Sequence, residues 1–183
     1  MPDYNKDLER AEVAEEIVYN ILKRYVTLNK GTGIAALFDV RKLPHAQAGD
    51  YDFSYRTWEN MQEVIRLDVK SDSRIGKTNN FFIEDSAQMN RTKEFKEGWM
   101  HYSIADFIYY LDEQRELIYI FSMDDMRDYI SKNRCKKGKC YDYNKIVEGY
   151  IVNLFDYSYK YNLEIMDLKG NYLNEERLQH YFN

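Results

Sequence analysis

Apolar residues recur at helical spacing near the start of the chain. Val13, Ala14, Ile17, Val18, Ile21, Leu22 and Tyr25 fall on one face, which predicts a helix over residues 8–26. Asn29, Gly31, Thr32 and Gly33 then supply turn chemistry. No Gly-Lys-Ser/Thr follows these glycines, so they read as a helix end and not as a phosphate loop. From residue 51 the period shortens to two. Residues 51–56 alternate and suit a strand. Residues 63–70 set Val64, Arg66, Asp68 and Lys70 against Ile65, Leu67 and Val69, the pattern of a strand with one buried and one more polar face. Residues 79–84 read as a third strand, after a turn built on Ser73, Gly76 and Lys77. Residues 86–98 are polar and read as helical. Residues 104–111 and 117–121 read as a hairpin around 112–116, residues 124–131 as a short helix and residues 150–155 as a further strand. This order implies an α/β (α+β) fold, a sheet flanked by helices. Neither a repeat nor a linker interrupts the pattern, so residues 1–183 read as one domain.

Composition narrows the class. No apolar run approaches the ~18 residues of a membrane span, so no membrane contact is expected. The first ten residues are charged and lack the apolar core of a secretory signal. Two cysteines cannot make a disulfide framework, which points to a cytoplasmic protein. Lys and Arg number 26 against 31 Asp and Glu, a net charge of −5. A protein that only coats nucleic acid is usually basic, whereas an enzyme with a carboxylate-lined site can touch phosphates through a local patch. Residues 131–140 offer one. They carry Lys132, Arg134, Lys136, Lys137 and Lys139 with no acid, and read as a basic loop that is either plainly solvated or in contact with DNA. The 18 tyrosines fit strands best, where aromatics are favoured, with some available to stack on bases.

The chemistry concentrates in residues 52–84. Asp68 and Lys70 are two apart on one strand and therefore project from the same face. A turn lets the neighbouring strand bring Asp52 close to Asp68. Carboxylates that converge on one point repel unless a cation neutralises them, and oxygen-liganded Mg²⁺ is the natural occupant, with Mn²⁺ as a substitute. A lysine beside such an ion can position a water or stabilise charge on a phosphate. Asp72 reads as a turn residue and Asp106 as structural. Cys135 and Cys140 lack the further ligands that zinc needs, and His45, His101 and His180 have no ligand spacing to them. Trp58 and Trp99 read as core or rim.

This set resembles the PD-(D/E)XK nuclease superfamily, in its small phage-type, resolvase-like and restriction-endonuclease-like members. Asp52, then Asp68-Val69-Lys70 sixteen residues on, is similar to the superfamily signature. Thr78-Asn79-Asn80-Phe81-Phe82-Ile83-Glu84 is similar to the stretch that follows the lysine and its turn. Gly98-Trp99, Ser103-Ile104-Ala105-Asp106-Phe107 and Tyr109-Tyr110 are similar to a region that precedes a strand in such proteins. The likeness covers residues 8–121 and, more loosely, 149–154. Asp52 follows Tyr51 instead of proline, Asp68 stands where Glu is commoner, and Asn79-Asn80 stands where Gly-Asn is usual.

The resemblance implies a restriction-endonuclease-like core with a central mixed sheet. It implies a Mg²⁺-dependent endonuclease in which Asp52 and Asp68 ligate the metal and Lys70 acts on the attacking water or the scissile phosphate. An acid on the first helix would assist. Glu15 lies at the border of the apolar face and fits that role, whereas Glu12 and Glu16 turn away from it. Glu84 reads either as support for the metal ligands or as surface charge. A chain this small would cut both DNA strands as a homodimer. The competing expectation is a non-catalytic nucleic-acid-binding or regulatory protein on the same fold.

Overall fold

The computed structural model describes residues 4–28, 33–141 and 145–174, and within the first helix the side chains of residues 8–26. The turn expected at residues 29–32 lies outside the described residues, as does His180. In chain order the elements are α1 (Tyr4–Leu28), β1 (Ile34–Asp39), α2 (Pro44–Gly49), β2 (Phe53–Thr57), β3 (Ile65–Ser71), α3 (Ile75–Thr78), β4 (Asn80–Met89), β5 (Phe95–Glu97), α4 (Trp99–Tyr102), β6 (Phe107–Asp112), β7 (Leu117–Ser122), α5 (Met123–Lys132), β8 (Lys136–Tyr141), β9 (Lys145–Asn153), α6 (Leu154–Ser158) and β10 (Glu164–Asp167). The fold is α+β, with a mixed sheet flanked by helices.

The strands form two sheets. The larger has the order β1-β2-β3-β6-β7-β10, and the smaller has the order β5-β4-β9-β8. Among the described residues only β3 and β6 pair in parallel, Asp68 opposite Ile108 and Lys70 opposite Tyr110. A parallel pair needs a long crossover, and here that crossover contains α3, β4, β5 and α4. The smaller sheet is antiparallel throughout.

Each face of the larger sheet has its own core. Ala14, Val18, Ile21 and Leu22 of α1 pack on Phe53, Leu67, Val69, Tyr109 and Ile118. The predicted apolar face of α1 is thus the buried one, except that Val13 is 58% exposed at its rim. On the opposite face, Ile108, Tyr110, Tyr119 and Phe121 meet Phe81, Ile83 and Val152 of the smaller sheet, closed off by Met126 of α5 and Tyr157 of α6. Phe81 sits at the centre, with ring centroids 5.2 Å from Tyr110 and Phe121 and 5.6 Å from Tyr119. Many of the tyrosines are therefore core residues, and each such ring stabilises by apolar burial plus edge-to-face contact.

Several expectations need correction. Residues 86–98 are not a helix: β4 runs on to Met89 and a turn leads into β5, because pairing with β9 outweighs weak local propensity. Residues 131–140 are not a loop. They comprise the end of α5, a short connection and most of β8. The last predicted strand begins earlier, at Lys145, and gives way to α6 at Leu154, where the Asn153 side chain accepts from the N–H groups of Phe155 and Asp156. The turn on Ser73, Gly76 and Lys77 contains the one-turn helix α3. Neither β1 nor α2 is foreseen by the hydrophobic pattern.

Candidate active site

Strand β3 is the platform. Its alternation sends Leu67 and Val69 toward α1 and sends Asp68 and Lys70 to the opposite face. That second face is not the solvated one its polarity suggests, since Asp68 is 2% exposed. Asp52 lies just ahead of β2 and is fixed against β3 at two points. Its backbone N–H donates to the Leu67 carbonyl at 2.9 Å, and its Oδ2 accepts from the Val69 N–H at 2.8 Å. The Asp52 carboxyl comes within hydrogen-bonding reach of Asp68. The three residues expected to act together are brought together.

The structure adds a fourth. Lys70 Nζ lies 2.6 Å from Asp68 Oδ2 and 3.1 Å from Asp50 Oδ2, and so bridges two acids. Asp50 caps α2 in the left-handed region at φ 50°, a conformation that Asp tolerates better than most residues. The Ser103 hydroxyl holds the Asp50 carbonyl at 3.0 Å. The buried ring of Trp99 lies against the ammonium, 5.4 Å from Nζ to its centroid. The sequence pattern does not single out Asp50. The signal it misses is the pair Asp50 and Asp52 flanking Tyr51, which the bend ahead of β2 turns toward one point.

Glu84 approaches from the smaller sheet. Its Oε2 lies 3.8 Å from Lys145 Nζ, and Lys70 and Asp50 both act on its charge. Gly98 lets the α4 segment lie against the backbone here. A Cβ at that position would stand 2.3 Å from the Glu84 carbonyl oxygen, closer than any side chain allows. Among Glu12, Glu15 and Glu16, only Glu15 is partly buried. Its Oε2 pairs with Arg41 at 3.3 Å, a guanidinium that also holds Asp39 and Glu16. The charge of Asp52 acts on Glu15 as well.

Burial dominates the electrostatics. It pushes Asp68 well above the usual carboxylate range. The Lys70 charge pulls the other way, and the charges of Asp50 and Asp52 push further up. Burial also raises Asp52, against the Val69 hydrogen bond. Burial disfavours the Lys70 ammonium, but the charges of Asp68 and Asp50 outweigh it and hold the lysine above its ordinary value. Burial and the Asp52 charge raise Glu15, and burial raises Glu84.

One atom bears on whether a cation fits. Asp68 Oδ2 is buried and takes no directed hydrogen bond; Lys70 Nζ is close to it but off the hydrogen-bonding direction. Two carboxyls this close favour sharing a proton or a cation over both standing ionised and bare. Mg²⁺ is commonly held by one or two carboxylates with water completing its shell, and Asp52 and Asp68 fit that donor set. Among the described residues, no three His, Cys, Asp or Glu side chains already surround a common metal position.

The remaining expected site residues scatter. Lys132 pairs with Asp128 at 2.7 Å, Lys137 with Asp85 at 2.6 Å and Lys139 with Glu148 at 2.7 Å, while Arg134 and Lys136 are exposed. Asp72 accepts the Arg74 N–H at 2.8 Å and Asp106 the Arg66 N–H at 2.6 Å, both structural roles. Cys135 and Cys140 are free thiols. Trp99 is core and Trp58 is at the surface.

No protein-family model and no curated protein matches the chain. Among solved structures, the chain is similar to a bacterial homing endonuclease over 70% of this chain and 74% of that one, with 19% identity and a TM-score of 0.42. No residue is carried across at that level, and the site stands on its own geometry. No helix among the described residues is long and apolar enough to cross a membrane.

Proposed function

We propose that the chain is a divalent-metal-dependent DNA endonuclease of the PD-(D/E)XK type, with a restriction-endonuclease-like core. The observation that carries this reading is the buried Asp68 Oδ2. It has no directed hydrogen bond, it lies against the Lys70 ammonium, and Asp50 and Asp52 crowd its charge. A scaffold gains nothing from concentrating like charges in a buried corner, whereas a hydrolase needs a cation there.

Asp52 and Asp68 would hold Mg²⁺ or Mn²⁺, which when bound would lower the pKa of a water and neutralise charge on the phosphate. The chain's own residues set the geometry. The Val69 N–H donates to Asp52 Oδ2 and orients that carboxyl beside Asp68. Lys70, kept charged by Asp68 and Asp50, places a fixed cation beside the reacting phosphate, where charge builds up in the transition state. The Trp99 ring keeps water from one side of that ammonium and limits its movement. Glu15, raised by burial and by Asp52, stands nearby as a proton acceptor or water ligand. A homodimer would supply two such sites, one for each strand of a duplex.

The test is cleavage of duplex, single-stranded, flap and four-way-junction DNA with Mg²⁺, Mn²⁺ or EDTA, comparing wild type with Lys70→Ala. Metal-dependent cutting that is lost in the variant supports the reading. Binding without cutting of any form, with either metal, would replace it with a non-catalytic nucleic-acid-binding protein.

A further inference from the structure

The two faces of the smaller sheet treat their basic residues differently. On the inner face, Lys137 shares a row with Tyr150 and Ile83, and Lys139 shares one with Glu148 and Ser86. Lys137 pairs with Asp85 and lies 4.6 Å from the Tyr150 ring centroid, and Lys139 pairs with Glu148. On the outer face, Lys136 shares a row with Ile151 and Phe82, and Glu84 faces Gly149 and Gly138. Lys145 lies on the same side of β9 as Gly149 and reaches Glu84. Arg74, four residues beyond Lys70, folds over this face: its guanidinium lies 5.9 Å from the Phe82 ring centroid and 3.6 Å from Cys140 Sγ.

Building on the nuclease reading, we infer that the outer face of the smaller sheet is the track for the phosphate backbone of the nucleic acid, held by Arg74, Lys136 and Lys145. Three observations converge. The face adjoins the site: Glu84 belongs to it, Gly98 packs against the Glu84 backbone, and the next residue, Trp99, lies against the Lys70 ammonium. Its centre is apolar, because the Phe82 ring and the Ile151 side chain pack over the facing Gly138 and Gly149; a Cβ on Gly149 would stand 2.7 Å from the Phe82 ring. Its basic groups are half-exposed or exposed, with 54% of the Arg74 side chain and 35% of the Lys145 side chain open to solvent. A polyanion that crosses this face exchanges the Arg74–Asp72 and Lys145–Glu84 pairs for phosphate contacts on its way to Asp52, Asp68 and Lys70. The acids on the path are Glu84 and Asp72, and both are partnered by these same cations.

The experiment is binding of a fluorescently labelled DNA duplex in EDTA, followed by anisotropy across a salt series. The slope of log K against log salt changes by about 0.9 for each phosphate contact on B-form DNA. Arg74→Ala, Lys136→Ala and Lys145→Ala combined are therefore expected to lower its magnitude by about 2.7. The inner set, Lys137→Ala and Lys139→Ala, joined by Lys132→Ala on α5, is expected to keep the wild-type slope. A charge-preserving set, Arg74→Lys, Lys136→Arg and Lys145→Arg, guards against misfolding and should bind with the wild-type slope. A wild-type slope in the outer Ala set, or loss of slope in the inner or charge-preserving set, would overturn the inference. Duplex binding without metal-dependent cutting would remove the nuclease reading and leave the track standing. Cutting by a protein whose outer Ala set binds normally would do the reverse.

Discussion

Asp112 and Asp68 are both sealed from water, at 0% and 2% exposure, yet their surroundings differ in kind. Asp112 ends β6 and is fully partnered. Its Oδ1 accepts from the N–H groups of Gln114 and Arg115 at 3.0 and 3.2 Å. Its Oδ2 accepts from the Arg115 guanidinium at 3.2 Å and the Tyr119 hydroxyl at 3.4 Å. Arg115 continues to the Asn79 side chain at 2.6 Å and so ties the hairpin to α3. Asp68 has a charge partner and two like-charged neighbours, and one of its oxygens lacks any directed hydrogen bond. A buried carboxylate with every lone pair answered is architecture. One held among other acids carries a standing electrostatic cost, and such a cost marks a place where a cation is expected.

That contrast can be tested from its strongest consequence down. Asp112→Ala strands the Arg115 charge and opens the β6–β7 turn, and is expected to cost about 3–5 kcal/mol in urea unfolding. The molecules that stay folded should still cut DNA at the wild-type rate. Asp68→Asn should behave in the opposite way. Cleavage is expected to fall roughly 10²–10³-fold, while the melting temperature holds or rises because a like charge has left the cluster. A loss of stability as large as that of Asp112→Ala, with activity per folded molecule intact, would make Asp68 a structural residue.

Metal should distinguish the two carboxylates again. At about a hundredfold excess over its Kd, Mg²⁺ or Mn²⁺ should stabilise the wild type by about 2.7 kcal/mol. The increment should survive Asp112→Ala and disappear in Asp68→Asn. Scanning calorimetry with and without metal reads it, and an unchanged wild-type melting temperature would count against the cation site.

The smallest effect concerns buried phenols. Burial pushes Tyr55 up to about 12, with the charges of Glu164 and Asp106 adding to it. Burial likewise raises Tyr109, Tyr110 and Tyr119. An unfolded tyrosine ionises near 10, so in that range the folded state binds more protons. The stability linked to Tyr55 is complete below pH about 10 and is lost as pH rises toward about 12. The absorbance of the buried tyrosinates should therefore appear late and together with unfolding, as a component separate from that of exposed rings such as Tyr159. Ionisation of all the tyrosines in one step while the protein stays folded would contradict the buried environment.

How much of this was legible in the chain depends on the range of the forces involved. The apolar face of α1, the hairpin of β6 and β7, and the shared face of Asp68 and Lys70 follow from local periodicity, because a backbone of fixed repeat decides which side chains align. Glu15 stood out for the same reason, at the border of the helix face. Strand β5 and the second half of β4 were not legible, since their residues are polar and only pairing with β9 makes them strands. Asp50 was not legible as a site residue either, because its place depends on α2 turning the chain and on Ser103, 53 residues away, holding its carbonyl. The lysines of β8 read as one basic patch, but the pleat divides them between two faces.

The sequence by itself determined the periods, the two-residue spacing of Asp68 and Lys70, and the supply of acids and bases. Those properties are written into neighbouring residues. The tertiary structure decided which acids meet, which lysines are already paired with carboxylates, and that the polar face of β3 lies buried. Those outcomes depend on contacts between residues far apart in the chain, where burial strengthens charge interactions and strand register sets their distances.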